Sequence, residues 1–121
     1  MKLLFVYNAN SGAANAVFDS MHKMLNPATY DCKLCELTFG TFSEKRMWKK
    51  FRQNSKYQFQ FLHKDEFLKR YKSKWLPKYD FPVALIIEED SMELFISAEE
   101  FEELKTTREL MGLVEERLSR D

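Results

Sequence analysis

A chain of 121 residues with 45% hydrophobic and 15% aromatic side chains can bury one core and is too short for two ordinary domains, so residues 1–121 read as a single domain. Its formal net charge of zero lacks the broad basic field that nucleic-acid binding draws on, and no apolar run approaches the length of a membrane span. The opening "MKLLFVYNA" breaks at Asn8 after five apolar residues, shorter than the core of a secretion leader, which predicts an intracellular, cytoplasmic protein whose two cysteines are thiols rather than a structural disulfide.

In chain order, "KLLFVYN" is a continuous apolar run of strand formers with no polar face, which predicts a central strand buried on both sides. "NSGAANAVFDSMHKML" offers Asn10 or Ser11 as a cap, and Ala14, Val17, Phe18, Met21, Met24 and Leu25 keep helical spacing up to Pro27, so a helix is predicted there. "TYDCKLCELTF" reads as a strand, and Gly40 and Ser43 punctuate the approach to a basic helix over 44–54. "YQFQFLH" alternates: Tyr57, Phe59, Phe61 and His63 fall on one face, Gln58, Gln60 and Leu62 on the other. "KDEFLKRY" suits a short helix, and an aromatic, basic loop follows through Trp75, Pro77 and Tyr79.

"FPVALIIEED" and "MELFISA" then predict an antiparallel hairpin about Asp90 and Ser91, with Ala84, Ile86, Leu94 and Ile96 facing inward. Ser97 and Glu100 have capping-box spacing, which Thr106 and Glu109 repeat, so a short helix and a final helix close the chain. The final helix is expected to bury Leu110, Leu113 or Val114, and Leu118, with Arg117 and Arg120 where the helix dipole favours positive charge.

The zero net charge conceals a segregation. Residues 43–78 carry 12 Lys and Arg against 3 Asp and Glu, and residues 79–121 carry 4 against 13. One reading of "EKRMWKKFRQNSK" is a phosphate-contacting helix with Trp48 and Phe51 available to bases. The other is a solvated helix face complemented by the acidic tail of the same or a neighbouring chain, and the overall neutrality favours it.

Strand, helix, strand, helix, strand, short helix, then a proline-led hairpin and a closing helix resembles the thioredoxin-like fold, an α/β architecture with a central mixed sheet of four to five strands flanked by helices. As sequence, residues 81–118 are similar to a glutaredoxin ending. The resemblance implies that Pro82 is the family's cis-proline beside the thiol site, and that Trp75 and Tyr79 line the groove where such proteins bind extended chains. From the residues alone, Pro82 also reads as the first residue of a strand, where a missing N–H does no harm. The sequence departs from the family at the turn after the first strand: "NANSGAAN" holds no thiol, and Cys32 and Cys35 follow later, without a proline between them and flanked by Asp31 and Glu36. Adjacent carboxylates disfavour a thiolate and predict slow nucleophiles.

Three readings of "CKLC" follow. Side chains three apart on a straight strand point to opposite faces, so a shared role requires a bend at Lys33 and Leu34; with that bend, Cys32 and Cys35 suit reversible dithiol oxidation without a cofactor, Lys45 or Arg46 offsetting the acids. Alternatively, Cys32 and Cys35 with His22 and His63 make up a Cys2His2 zinc set. Or the thiols are small apolar side chains without chemistry. A weaker signal is an anion site at Asn10, Ser11 and Gly12, where a glycine-containing turn leads into a helix; no Lys-Ser or Lys-Thr follows it, so a nucleotide triphosphatase is not supported. The leading expectation is thiol–disulfide redox chemistry, followed by zinc binding and then by a non-enzymatic module that binds a protein partner.

Overall fold

The computed structural model describes residues 1–8, 32–39, 44–71, 79–89 and 91–119. The helix expected across Asn10, Ser11, Gly12 and His22, and the positions of Asp31, Trp75, Asp90 and Arg120, lie outside the described residues.

A four-stranded mixed sheet is built from β1 (Lys2–Tyr7), β2 (Gln58–His63), β3 (Val83–Ile87) and β4 (Met92–Ile96), in the order β2-β1-β3-β4. β1 runs parallel to β2, pairing Leu3 with Phe59 and Tyr7 with His63, and antiparallel to β3, pairing Val6 with Val83. β3 and β4 form the antiparallel hairpin. Among the described residues the helices are α1 (Lys33–Thr38), α2 (Arg46–Asn54), α3 (Lys64–Arg70), α4 (Ala98–Glu103) and α5 (Thr107–Ser119), and none is long and apolar enough to cross a membrane.

The unbroken apolar run of β1 fits its central place, because both faces of the strand are covered. Leu3, Phe5 and Tyr7 point into the larger core with Trp48, Phe59, Phe61, Ala84, Phe101, Leu110 and Val114. Leu4 and Val6 point into a smaller one with Leu62, Phe67, Val83 and Leu85. The larger core is strongly aromatic: the Phe5 ring centroid lies 5.6 Å from Phe59, 5.5 Å from Phe61 and 5.6 Å from Trp48.

Three expectations are corrected. Residues 33–38 are helical rather than extended: Leu34, Leu37 and Thr38 share a buried helical face, and this packing overrides the strand-like composition of the stretch. Leu94 is 52% exposed rather than inward. Ala84 pairs with Ile96 and Leu85 with Leu94, so Phe95 is an extra, bulged residue that joins Ile96 in the larger core and turns Leu94 to the other face. Trp48 is fully buried against Phe5 and Phe51 and presents no face for a base to stack on.

Two ion pairs tie the frame together. Arg52 holds Glu44 through two bonds of 2.7 Å, and its guanidinium lies 5.6 Å from the Phe61 ring centre. Arg117 lies in the last turn of α5, as expected, and also grips Glu100 with both terminal nitrogens and donates to the Phe95 carbonyl at 2.6 Å. It thereby joins α5 to α4 and to the bulge of β4.

Candidate dithiol site

β1 ends at Tyr7, and the next residue, Asn8, donates its backbone N–H to Cys32 Sγ at 3.3 Å. Cys32 is the N-cap of α1, with extended backbone at φ −138° and ψ 101°, and its sulfur takes the place of the usual cap oxygen by accepting the Cys35 N–H at 3.3 Å. The bend required for a shared role is therefore the first turn of a helix. Cys35 Sγ lies 2.7 Å from Cys32 Sγ, with its thiol donating. Neither cysteine is in a disulfide, and both are buried. An S–S bond spans about 2.05 Å, so closure needs only a small approach of the two sulfurs.

These contacts set the acidity. The Cys35 thiol hydrogen bond lowers the pKa of Cys32 most; burial opposes it, and the backbone N–H groups of Cys35, Asn8 and Leu34 lower it further. The net result holds Cys32 below its ordinary value, because N–H and S–H donors converge on the charged form. The Glu36 carboxylate, beside the pair in sequence, therefore does not set the acidity of Cys32. The Glu36 side chain is 71% exposed and pairs with Lys33 at 3.6 Å, so adjacency in sequence does not become proximity to the sulfur. Nor does compensation come from Lys45, whose ammonium donates to Thr107 Oγ1 at 3.3 Å, or from Arg46, which is exposed; it comes from the Cys35 thiol first and from the backbone N–H groups after it.

Tyr7 lines the same region. Its phenol bonds to Thr38, and burial, followed by the charge of Cys35, raises its pKa, which keeps it neutral. The Thr38 hydroxyl donates to the Leu34 carbonyl at 2.7 Å, which leaves the phenol as the donor to Thr38.

The other candidate residues are placed differently. The Phe81–Pro82 peptide is cis, and the next residue, Val83, opens β3. Since Val83 pairs with Val6, Pro82 stands beside the end of β1 from which Asn8 reaches the sulfur. Tyr79 packs in the smaller core, its ring 6.4 Å from Phe67, across the sheet from the cysteines; burial raises its pKa. His63 ends β2, its ring 5.6 Å from Tyr7, and its Nδ1 lies 2.7 Å from Glu66 Oε1. Among the described residues no group of three or more His, Cys, Asp or Glu is arranged to hold a metal ion.

The residues that sequence reasoning missed are Tyr7, Asn8, Thr38 and Thr107. Asn8 carries a usable signal, since it follows the C-terminal end of a central parallel strand, where α/β sheets place their sites. Thr107 carries none. Comparison of the chain with protein-family models, with curated proteins and with solved structures finds no match.

Proposed function

We propose that the chain is a thioredoxin-like domain whose Cys32 and Cys35 cycle between dithiol and disulfide. The observation that carries this reading is the pair of sulfurs 2.7 Å apart at a helix start, where Cys32 also accepts two backbone N–H groups. Support for the fold comes from the order β2-β1-β3-β4, with β1 parallel to β2 and antiparallel to β3.

The step balances with a disulfide as the only co-reactant. The Cys32 thiolate attacks one sulfur of R–S–S–R′; that S–S bond breaks, and R′S⁻ leaves and takes up a proton. Cys35 loses its proton and attacks Cys32 Sγ, the mixed disulfide breaks, and RS⁻ leaves to be protonated in turn. Two electrons pass from the cysteine pair to the substrate, and the Cys32–Cys35 disulfide forms. The acidified, N-capping Cys32 acts as nucleophile, and Cys35, still carrying its proton, resolves the mixed disulfide. Zinc binding is less well supported, since His63 would have to give up Glu66.

Treatment of the folded protein with oxidised glutathione, read by intact mass, tests the proposal. Loss of two hydrogens is expected in the wild type, and a glutathione adduct on Cys32 in Cys35→Ser. A wild type that closes only after denaturation would overturn it.

A further inference from the structure

We infer, on the footing of that dithiol reading, that Thr107 is a positioning residue for the Cys32–Cys35 pair: it anchors the far end of α1 to α5 and so fixes the helix start on which Cys32 sits. Among the described residues the buried polar side chains are Thr38 and Thr107, and both hydroxyls donate to carbonyls of α1. Thr38 bonds Leu34 within the helix at 2.7 Å, whereas Thr107 bonds Leu37 at 2.6 Å from seventy positions away. The Lys45 ammonium donates to Thr107 Oγ1 at 3.3 Å. With that lone pair engaged, the single hydroxyl proton is directed at Leu37.

The carbonyls of this segment are closely accounted for. Cys32 O receives Glu36 N–H at 3.1 Å, Cys35 O receives Phe39 N–H at 2.9 Å, and Thr38 O receives Lys45 N–H at 2.8 Å. Leu37 O takes its bond from Thr107. Six residues fall well short of the roughly 12–15 that sustain an isolated helix in water, so external anchors set the geometry of α1. Leu37 lies two residues beyond Cys35, less than a turn away, and displacement there is transmitted to the Cys35 N–H and thiol that face Cys32. A buried hydroxyl is costly without partners, and a valine would occupy the same space without that cost. What threonine adds is a directional bond to the helix that carries both sulfurs.

The test compares Thr107→Val, which keeps the shape and loses both bonds, with Thr107→Ser, which keeps the hydroxyl. Reduced, folded proteins are alkylated with iodoacetamide across pH, with Cys32 resolved by peptide mapping. Thr107→Val is expected to move the midpoint toward that of an ordinary cysteine and to slow alkylation at neutral pH roughly threefold or more, while Thr107→Ser returns both toward wild type. A valine variant that is less stable but keeps the wild-type midpoint and rate has lost only packing, and the inference is overturned. If Thr107→Val does not fold, Lys45→Met reads the same link by removing the ammonium that orients the hydroxyl; an unchanged profile there also overturns it. Wild-type closure under oxidised glutathione is scored separately, so failure of the redox reading shows there and failure of the anchor shows in the alkylation profile.

Discussion

α1 and α4 are both six residues long, and both begin on a side chain that caps the third residue of the helix. At α4, Ser97 Oγ accepts the Glu100 N–H at 3.2 Å, and the Glu100 carboxylate returns to the Ser97 N–H at 2.9 Å. At α1, Cys32 Sγ accepts the Cys35 N–H at 3.3 Å, and the Cys35 thiol returns to the Cys32 sulfur. The cap on the third residue's N–H is shared, and the return contact differs: at α4 a carboxylate accepts from the N-cap N–H, whereas at α1 a thiol donates to the N-cap sulfur. Oxygen and carboxylate make a lock that Arg117 closes from α5. Two sulfurs make a start that oxidation would alter on the proposed dithiol reading, since an S–S bond would leave no thiolate for the N–H groups to serve.

Exchanging the atoms breaks the comparison most completely. Cys32→Ser gives α1 the same kind of cap as Ser97, so disulfide closure is abolished while stability stays within about 1 kcal/mol of wild type; intact mass after oxidised glutathione and urea unfolding measure the two. Loss of the folded state would mean that the sulfur is more than a cap. Cys35→Ala is the next largest change. It removes the thiol donor that contributes most to the acidity of Cys32, so the alkylation midpoint of Cys32 shifts upward. A midpoint that does not move would assign the acidity to the backbone alone.

At α4 the effects are on stability rather than chemistry. Arg117, with the Ser97 N–H, holds the Glu100 pKa down to about 2. A depressed carboxylate contributes stability above its unfolded pKa, near 4.3, and loses it as pH falls through the folded value. Glu100→Gln therefore costs about 1 kcal/mol at neutral pH, a figure discounted because the Glu100 side chain is 35% exposed. The cost shrinks between about pH 4.5 and pH 2. Urea midpoints across that range measure it, and a difference that stays constant with pH would refute the linkage.

The same contrast marks what was legible in the chain. Ser97 and Glu100 announce α4 because a serine followed three residues later by glutamate is an unambiguous helix start, and the apolar run of β1 implies a strand covered on both faces. The start of α1 is silent, since cysteine is not a residue from which a cap is read and its neighbours Thr29, Tyr30 and Phe39 suit a strand. Tertiary burial of Leu34 and Leu37 decided the local structure. Thr106 was legible as a cap and does accept the Glu109 N–H at 3.1 Å, whereas the Glu109 carboxylate reaches back one residue further, to the Lys105 N–H. The adjacent Thr107, with its bond to Leu37 seventy positions away, leaves no trace in local pattern. Nor does the bulge at Phe95, because adjacent apolar residues do not show which of them is extra.

α3 supplies a third helix start and the smallest expected effect. The Glu66 carboxylate accepts the His63 N–H at 2.8 Å and lies 2.7 Å from His63 Nδ1, and these bonds, the backbone one first, lower its pKa. Its position matches that of Glu100, but its side chain is 46% exposed and no arginine among the described residues completes it. Water can replace most of what the carboxylate provides, so Glu66→Gln should cost only about 0.3 kcal/mol. The sign is that of Glu100: stability is present above the unfolded glutamate pKa and lost as pH falls through the lowered folded value. Acid unfolding of the two glutamine variants side by side separates the cases, with a shifted transition for Glu100→Gln and one close to wild type for Glu66→Gln. Equal shifts would mean that the cap geometry, shared by both, matters more than the buttressing by Arg117 that only α4 has.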